Sequence, residues 1–413
     1  MILFEKRILN NGLTVLVHED KTTPMAAFNL LYNVGARDED KKRTGFAHLF
    51  EHLMFGGSAN IPDYDSPLQR CGGESNAFTS NDITNYYDIL PAANLETAFW
   101  LESDRMLSLS FDQKVLNVQK GVVSEEFKER YLNQPYGNAW LKLRPLAYKT
   151  HPYQWPTIGK SLTHIENADM QDVKDFFYRF YRPNNAVLCI AGNIKADEVF
   201  QLAEKWFGPI PMGEINTRSL AREKEQTKPR HINIEEDVPY NSIYKAYHMC
   251  ERNHPDFYAT DMITDVLSLG ASSRFEQNLV KGKELFLSID AYITGNLDPG
   301  LIVIEGKLKP DTDFSEAEAA IEEELHSIKS DVKEYELEKI KNKLEAQETF
   351  NVTSAINKAM ELSIYELLGD AGRINTEIEK YRAINPSNVE TFAKKILKPS
   401  NCSTIHYLSK GLK

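Results

Sequence analysis

The chain has 413 residues, more than one hydrophobic core ordinarily holds, so two or three domains are expected. Hydrophobic residues at 42% and charged residues at 26% exclude a disordered chain. With 48 Lys and Arg against 60 Asp and Glu the net charge is −12, which argues against nucleic acid as a partner because phosphate binding needs a basic face. No run approaches the ~18 to 20 apolar residues of a membrane-spanning helix. Glu5, Lys6 and Arg7 interrupt the amino terminus where a signal peptide would carry its apolar stretch. The expectation is a cytoplasmic chain without membrane association.

From the amino terminus, strand-like runs at 14–20 and 26–34 precede a helix containing residues 45–55. Strands near 75–80 and 83–90 follow, then several helices. Residues 209–231 include Pro209, Pro211 and Pro229 among many charges, which is linker chemistry. Beyond it come strand-like runs at 231–236 and 242–249, a helix at about 256–269, strands near 285–293 and 299–308, and helices from 314 onward. Strands in a run followed by helices in a run predict an α+β fold with a largely antiparallel sheet.

The two halves end alike. DVKDFFYRFYRPNN at 172–185 and NVETFAKKILKPSN at 388–401 match at a constant offset of 216 residues, so that Val173, Phe176, Pro183 and Asn185 recur as Val389, Phe392, Pro399 and Asn401. Each reads as an amphipathic helix, a proline stop and a short strand, AVLCIAG or CSTIHYL. Duplication of one unit explains this, giving domains at 1–208 and 232–413 joined by the 209–231 linker.

Residues 43–55 read RTGFAHLFEHLMF. Thr44 is positioned to cap a helix on which His48 and His52, four apart, project from one face close enough to share an ion. Glu51 lies on that face within reach of a metal-bound water. Two imidazoles and a carboxylate base are what metal-assisted hydrolysis requires, and the order His-x-x-Glu-His is the inverse of the common zincin arrangement. A third ligand is sought in the helical run 115–131, with Glu125, Glu126 and Glu129. There Val115, Leu116, Val118, Val122, Val123 and Phe127 define an apolar stripe, and Glu126 falls within ~20° of its centre. A carboxylate inside a buried stripe needs a partner or a metal. Glu125 and Glu129 read as a solvated face, and Gln119, two turns before Glu126, as a hydrogen-bonding support for a ligand. Cys71, Cys189, Cys250 and Cys402 form no CxxC pair and read as reduced thiols.

HLFEHLMFGG at 48–57, GGESNAFTSNDITNYY at 72–87, VVSEEF at 122–127 and RPNN at 182–185 together resemble the M16 family of zinc metallopeptidases, in its short-subunit branch. The likeness covers essentially the whole chain. It implies one Zn2+ held by His48, His52 and Glu126, with Glu51 as general base that takes a proton from water and passes it to the leaving amine. It also implies an edge strand, Asn76-Ala77-Phe78-Thr79, that pairs with an extended peptide substrate. At Gln119 the family usually carries a glutamate. Active members supply an Arg and a Tyr seven residues apart from the carboxy-terminal half, whereas the corresponding places here are Val280 and Phe286, with Arg274 assigned to the preceding helix. The resemblance therefore implies the zinc-bearing subunit of a heterodimer whose sister chain brings the Arg/Tyr pair, a homodimer being the alternative. Asp261 and Asp265 offer carboxylates without histidines, and His18, His151, His231 and His326 have no ligand spacing. Two other function classes stand beside the peptidase: an idle scaffold subunit, and a zinc-dependent binding module without hydrolysis. Intact His48, Glu51, His52 and Glu126 argue against the idle scaffold, which has no physical need for them.

Overall fold

The seven residues Ala186–Gly192 carry no charge and all are buried, as a strand covered on both faces requires. In the computed structural model, which describes residues 1–214 and 218–412, this strand is β6 of a six-stranded sheet. Its companions are β1 (Glu5–Ile8), β2 (Thr14–Glu19), β3 (Met25–Tyr32), β4 (Glu74–Thr79) and β5 (Thr84–Pro91), in the order β1-β2-β6-β3-β5-β4. Only β2 and β6 run parallel; the other pairs are antiparallel. A second sheet contains β7 (Arg230–Glu236), β8 (Ser242–His248), β9 (Phe286–Ile293), β10 (Leu301–Leu308) and β11 (Cys402–Ser409), in the order β7-β11-β8-β10-β9. There the parallel pair is β7 with β11. The two sheets repeat one topology, with β7, β8, β9, β10 and β11 standing for β2, β3, β4, β5 and β6. Strand β1 has no counterpart, and its four exposed residues EKRI carry no apolar alternation that marks a strand.

The repeat at 172–185 and 388–401 has a structural reason. Helices Met170–Phe180 and Pro386–Ile396 each begin with a reciprocal capping box, from Asp169 with Asp172 and from Asn385 with Asn388. After the proline, Asn185 donates to Phe180 O (2.8 Å) and Asn33 O (3.1 Å), while Asn401 donates to Ile396 O (3.0 Å) and His248 O (3.0 Å). The same asparagine thus closes the helix end and holds the strand start in both copies.

The compact units are not the two contiguous stretches that the linker suggests. The first comprises Met1–Lys128, Trp155–Leu220 and Glu348–Thr376; the second comprises Glu129–Gln154, Ala221–Gln347 and Glu377–Lys413. In the first, the Ala355–Leu367 helix covers one sheet face, with Ala359 and Leu362 packed among Leu16, Ala27, Val187 and Cys189. Ser363 accepts from Asn29 there (3.0 Å). In the second, the Ala139–Ala147 helix does the same, with Leu143 and Ala147 among Tyr244, Val303 and Ile405. A polar run marks where the chain leaves a domain, but burial of a sheet face decides which helix returns to cover it.

The Phe257–Ser268 helix of the second unit stacks Asp261 and Asp265 one turn apart, and Tyr381 donates to Asp261 (2.6 Å). Burial, with the neighbouring Asp261 charge, pushes Asp265 up to about 7. A carboxyl that holds its proton longer in the folded state lowers stability as pH rises from its unfolded value near 3.8 to about 7. Asp265→Asn is expected to flatten that slope and to stabilise the chain at pH 8 by on the order of 1–3 kcal/mol. Thermal unfolding from pH 5 to pH 8 measures it, and an unchanged slope refutes it.

Candidate metal centre

Helix α1 (Phe46–Leu53) buries Phe46, Ala47, Leu49, Phe50 and Leu53, which leaves His48, Glu51 and His52 to share its other side. Its cap residue is Gly45 at φ 91°, where a Cβ would lie 2.6 Å from Ile158 O. That left-handed turn against backbone is a place for glycine. Thr44, expected as the cap, serves elsewhere: its hydroxyl accepts from Lys160 N (3.0 Å) and sits 2.9 Å from His164 Nδ1. The α1 amides are met by Glu39, whose carboxylate accepts from Gly45 N (2.9 Å), Ala47 N (2.9 Å) and Trp155 Nε1 (3.0 Å). Burial pushes Glu39 up to about 8 even though these N–H donors favour its charged form.

The helix Gln113–Phe127 brings Glu126 to α1. Glu126 Oε2 lies 3.6 Å from His48 Nε2 and 3.5 Å from His52 Nε2. One donor atom from each of the three residues lies within 4.8 Å of the others. Ligand atoms bound ~2.0–2.1 Å from a tetrahedral zinc stand roughly 3.4 Å apart, so this donor set fits that ion. The imidazole rings are nearly perpendicular, with centroids 4.9 Å apart. Immediately after Glu126 and Phe127 the helix widens into a π-helical turn, Lys128–Leu132, a distortion that recurs at functional sites. Among the described residues no other group of three His, Cys, Asp or Glu side chains converges in this way, and all four cysteines are free thiols.

The stripe that pointed to Glu126 is narrower than its composition implies. Leu116, Val123 and Phe127 are buried, but Val118 and Val122 are 53% and 46% exposed. Glu126 itself is half-buried. Glu125 and Glu129 are exposed, as expected, and Glu125 pairs with Lys128 (2.7 Å). Gln119 is half-buried, two turns before Glu126 on the same helix.

Glu51 Oε2 accepts from the Thr79 hydroxyl (2.6 Å). Beneath lie Tyr86 and Tyr181, whose hydroxyls are 3.4 Å apart; burial raises both, and the Glu51 charge adds to the shift. Thr79 ends β4, the outermost strand of its sheet, which is paired only with β5. Along β4, Glu74, Asn76 and Phe78 are exposed while Ser75, Ala77 and Thr79 are half-buried, and Ala77 N donates to the Asn76 side chain (2.8 Å).

In the second unit Phe286 is fully buried in the core and Val280 packs against it. Arg274 is helical and opens the π-helical segment Phe275–Gly282 that precedes Phe286. Its guanidinium is committed to Glu336 (2.6 Å), Ser327 (3.1 Å) and Asp331 O (2.6 Å). His18, His151 and His231 engage Leu3 O (2.6 Å), Asp298 (3.4 Å) and Asn233 (2.6 Å), and His326 is exposed. No helix among the described residues is long and apolar enough to cross a membrane.

The family model for insulinase (peptidase family M16) matches residues 14–158, and that for the peptidase M16 inactive domain matches residues 167–344. The chain is 27% identical to a zinc protease, PqqE, of Helicobacter pylori, over 97% of this chain and 92% of that protein. It is 26% identical to a protein of Schizosaccharomyces pombe named as a probable mitochondrial-processing peptidase subunit beta, over 72% and 67% of the two chains. A crystal structure of a protease from Helicobacter pylori superposes with a TM-score of 0.93 at 27% identity, covering 99% of this chain and 100% of the other. Pitrilysin shares the fold at 18% identity and a TM-score of 0.77, covering 99% of this chain and 45% of that one. With one family's models spanning both halves of the sequence and that family's fold matched from end to end, this chain belongs to the M16 family of peptidases.

Proposed function

We propose that the chain is a zinc-dependent endopeptidase of oligopeptides or unfolded segments, with His48, His52 and Glu126 as metal ligands and Glu51 as general base. The observation that carries this reading is the meeting of three donor atoms from two helices, at spacings a tetrahedral ion accepts, beside a glutamate held by a strand-edge hydroxyl. A bound zinc ion supplies Lewis acidity and a water of lowered pKa. Glu51 is placed to take a proton from an attacking water and to deliver it to the leaving nitrogen, with the Thr79 hydroxyl fixing which carboxylate oxygen faces the substrate. The open edge of β4 at Asn76–Thr79 holds an extended peptide by main-chain pairing, which reads conformation rather than sequence.

The second unit favours a paired assembly. Phe286 and Val280 are packing residues and Arg274 is committed to Glu336, so none supplies donors to a substrate carbonyl. A sister subunit carrying an Arg and a Tyr completes the site in this reading. The naming of relatives as beta subunits of mitochondrial-processing peptidase is in keeping with it.

The test is cleavage of a quenched peptide by the chain after chelation and zinc return, alongside Glu126→Gln. Zinc should restore to the unmodified chain the low basal cleavage that a single subunit supports, and metal content should fall from one equivalent to well below one in the variant. Full zinc content in Glu126→Gln refutes the ligand assignment. Full activity of the chain alone refutes the need for a sister subunit.

A further inference from the structure

A helix of eight residues is too short to hold its own shape, since isolated helices below ~12–15 residues are marginal in water. The pose of α1 is therefore set by what grips its ends. At its amino end the grip comes from Glu39, which belongs to a separate turn six residues before Gly45 and is 7% exposed. Its two oxygens divide the work: Oε2 takes Gly45 N and Trp155 Nε1, and Oε1 takes Ala47 N, the residue next to His48. Trp155, itself buried, donates to Ala36 O as well (3.0 Å), and the buried Arg37 pairs with Asp82 (3.1 Å), so the turn that carries Glu39 is pinned on both sides.

The third donor, Glu126, stands on a different helix. A small roll or slide of α1 therefore changes both imidazole-to-carboxylate distances together. We infer that Glu39 is a positioning residue that sets the placement of α1 against Glu126, so that metal affinity depends on it through the helix it grips. This rests on the zinc reading above.

The experiment uses the full chain with Co2+ as probe, read by its visible absorption and by competition with a chelator. Glu39→Ala should weaken Co2+ binding about tenfold or more and shift the absorption bands. Glu39→Gln keeps one acceptor oxygen and should fall between Glu39→Ala and the unmodified chain. It also carries the test should the alanine variant not fold. Val199→Ala, a cavity variant at a buried residue of the same unit, controls for a general loss of stability. It should lower the unfolding temperature while leaving affinity and spectrum unchanged. Glu39 variants with unmodified affinity and bands, measured well below their unfolding temperatures, overturn the inference. Absence of any Co2+ binding by the unmodified chain overturns the zinc reading itself and the inference with it.

Discussion

Glu51→Gln is expected to retain a full equivalent of zinc and to lose turnover by about 10²- to 10⁴-fold, the range removed with a general acid–base residue. That loss corresponds to roughly 3–5 kcal/mol of barrier. The amide has the shape of the carboxylate and its oxygen can still accept from the Thr79 hydroxyl. It cannot take a proton, so α1 and its imidazoles keep their places while proton transfer stops. Metal analysis and kcat measured on one preparation separate the two effects. Retained turnover removes Glu51 from the role of base, and joint loss of metal and turnover shows that its part is structural.

The second large effect lies behind the site. Arg105 is 1% exposed and donates to Glu102, through Nε at 2.7 Å and again through Nη2. Its guanidinium lies 4.4 Å from the Tyr64 ring, 4.5 Å from Tyr86 and 5.4 Å from Phe55. The Tyr64 hydroxyl bonds both Asp88 (3.0 Å) and Glu102 (2.7 Å). Burial, with the Glu102 charge beside it, pushes Asp88 well above the usual carboxylate range, while the Arg105 charge opposes that rise. Arg105→Met strands Glu102 without its cation and should cost about 3–5 kcal/mol. Adding Glu102→Gln should recover part of that loss, because a neutral amide no longer needs the missing charge. Denaturant unfolding of both variants decides it. A double variant no more stable than the single one places the loss in cavity formation instead.

Most strands were legible because their alternation or continuous apolar character follows from the face they bury. Predicted runs at 83–90 and 242–249 became β5 and β8 with shifts of a residue or so. Strand β1 was not legible, since its exposed residues owe their conformation to pairing with β2 alone. Glu39 was missed for a related reason. The only signal is a glutamate upstream of a helix whose adjacent Thr44 looks like a sufficient cap, and local spacing favours the neighbour over a residue that reaches back from another turn. The helix bearing Glu126 shows the limit of a wheel. Periodicity gave a direction, but the valines at 118 and 122 remain exposed on the chain.

Features that depend on neighbours along the chain could be read without the fold. The pairing of His48 with His52, the reach of Glu51 and the two-fold repeat with its asparagine closures all follow from helical geometry and short-range hydrogen bonds. Contacts that join distant segments came from the folded chain: the 3.5 and 3.6 Å approach of Glu126 to the imidazoles, the Thr79 hydroxyl on Glu51, the Glu39 grip on α1, and the return of residues 348–376 to the first sheet. Those arrangements are selected by burial and by satisfaction of buried polar groups across the whole fold, and no local pattern encodes which distant partner meets that demand.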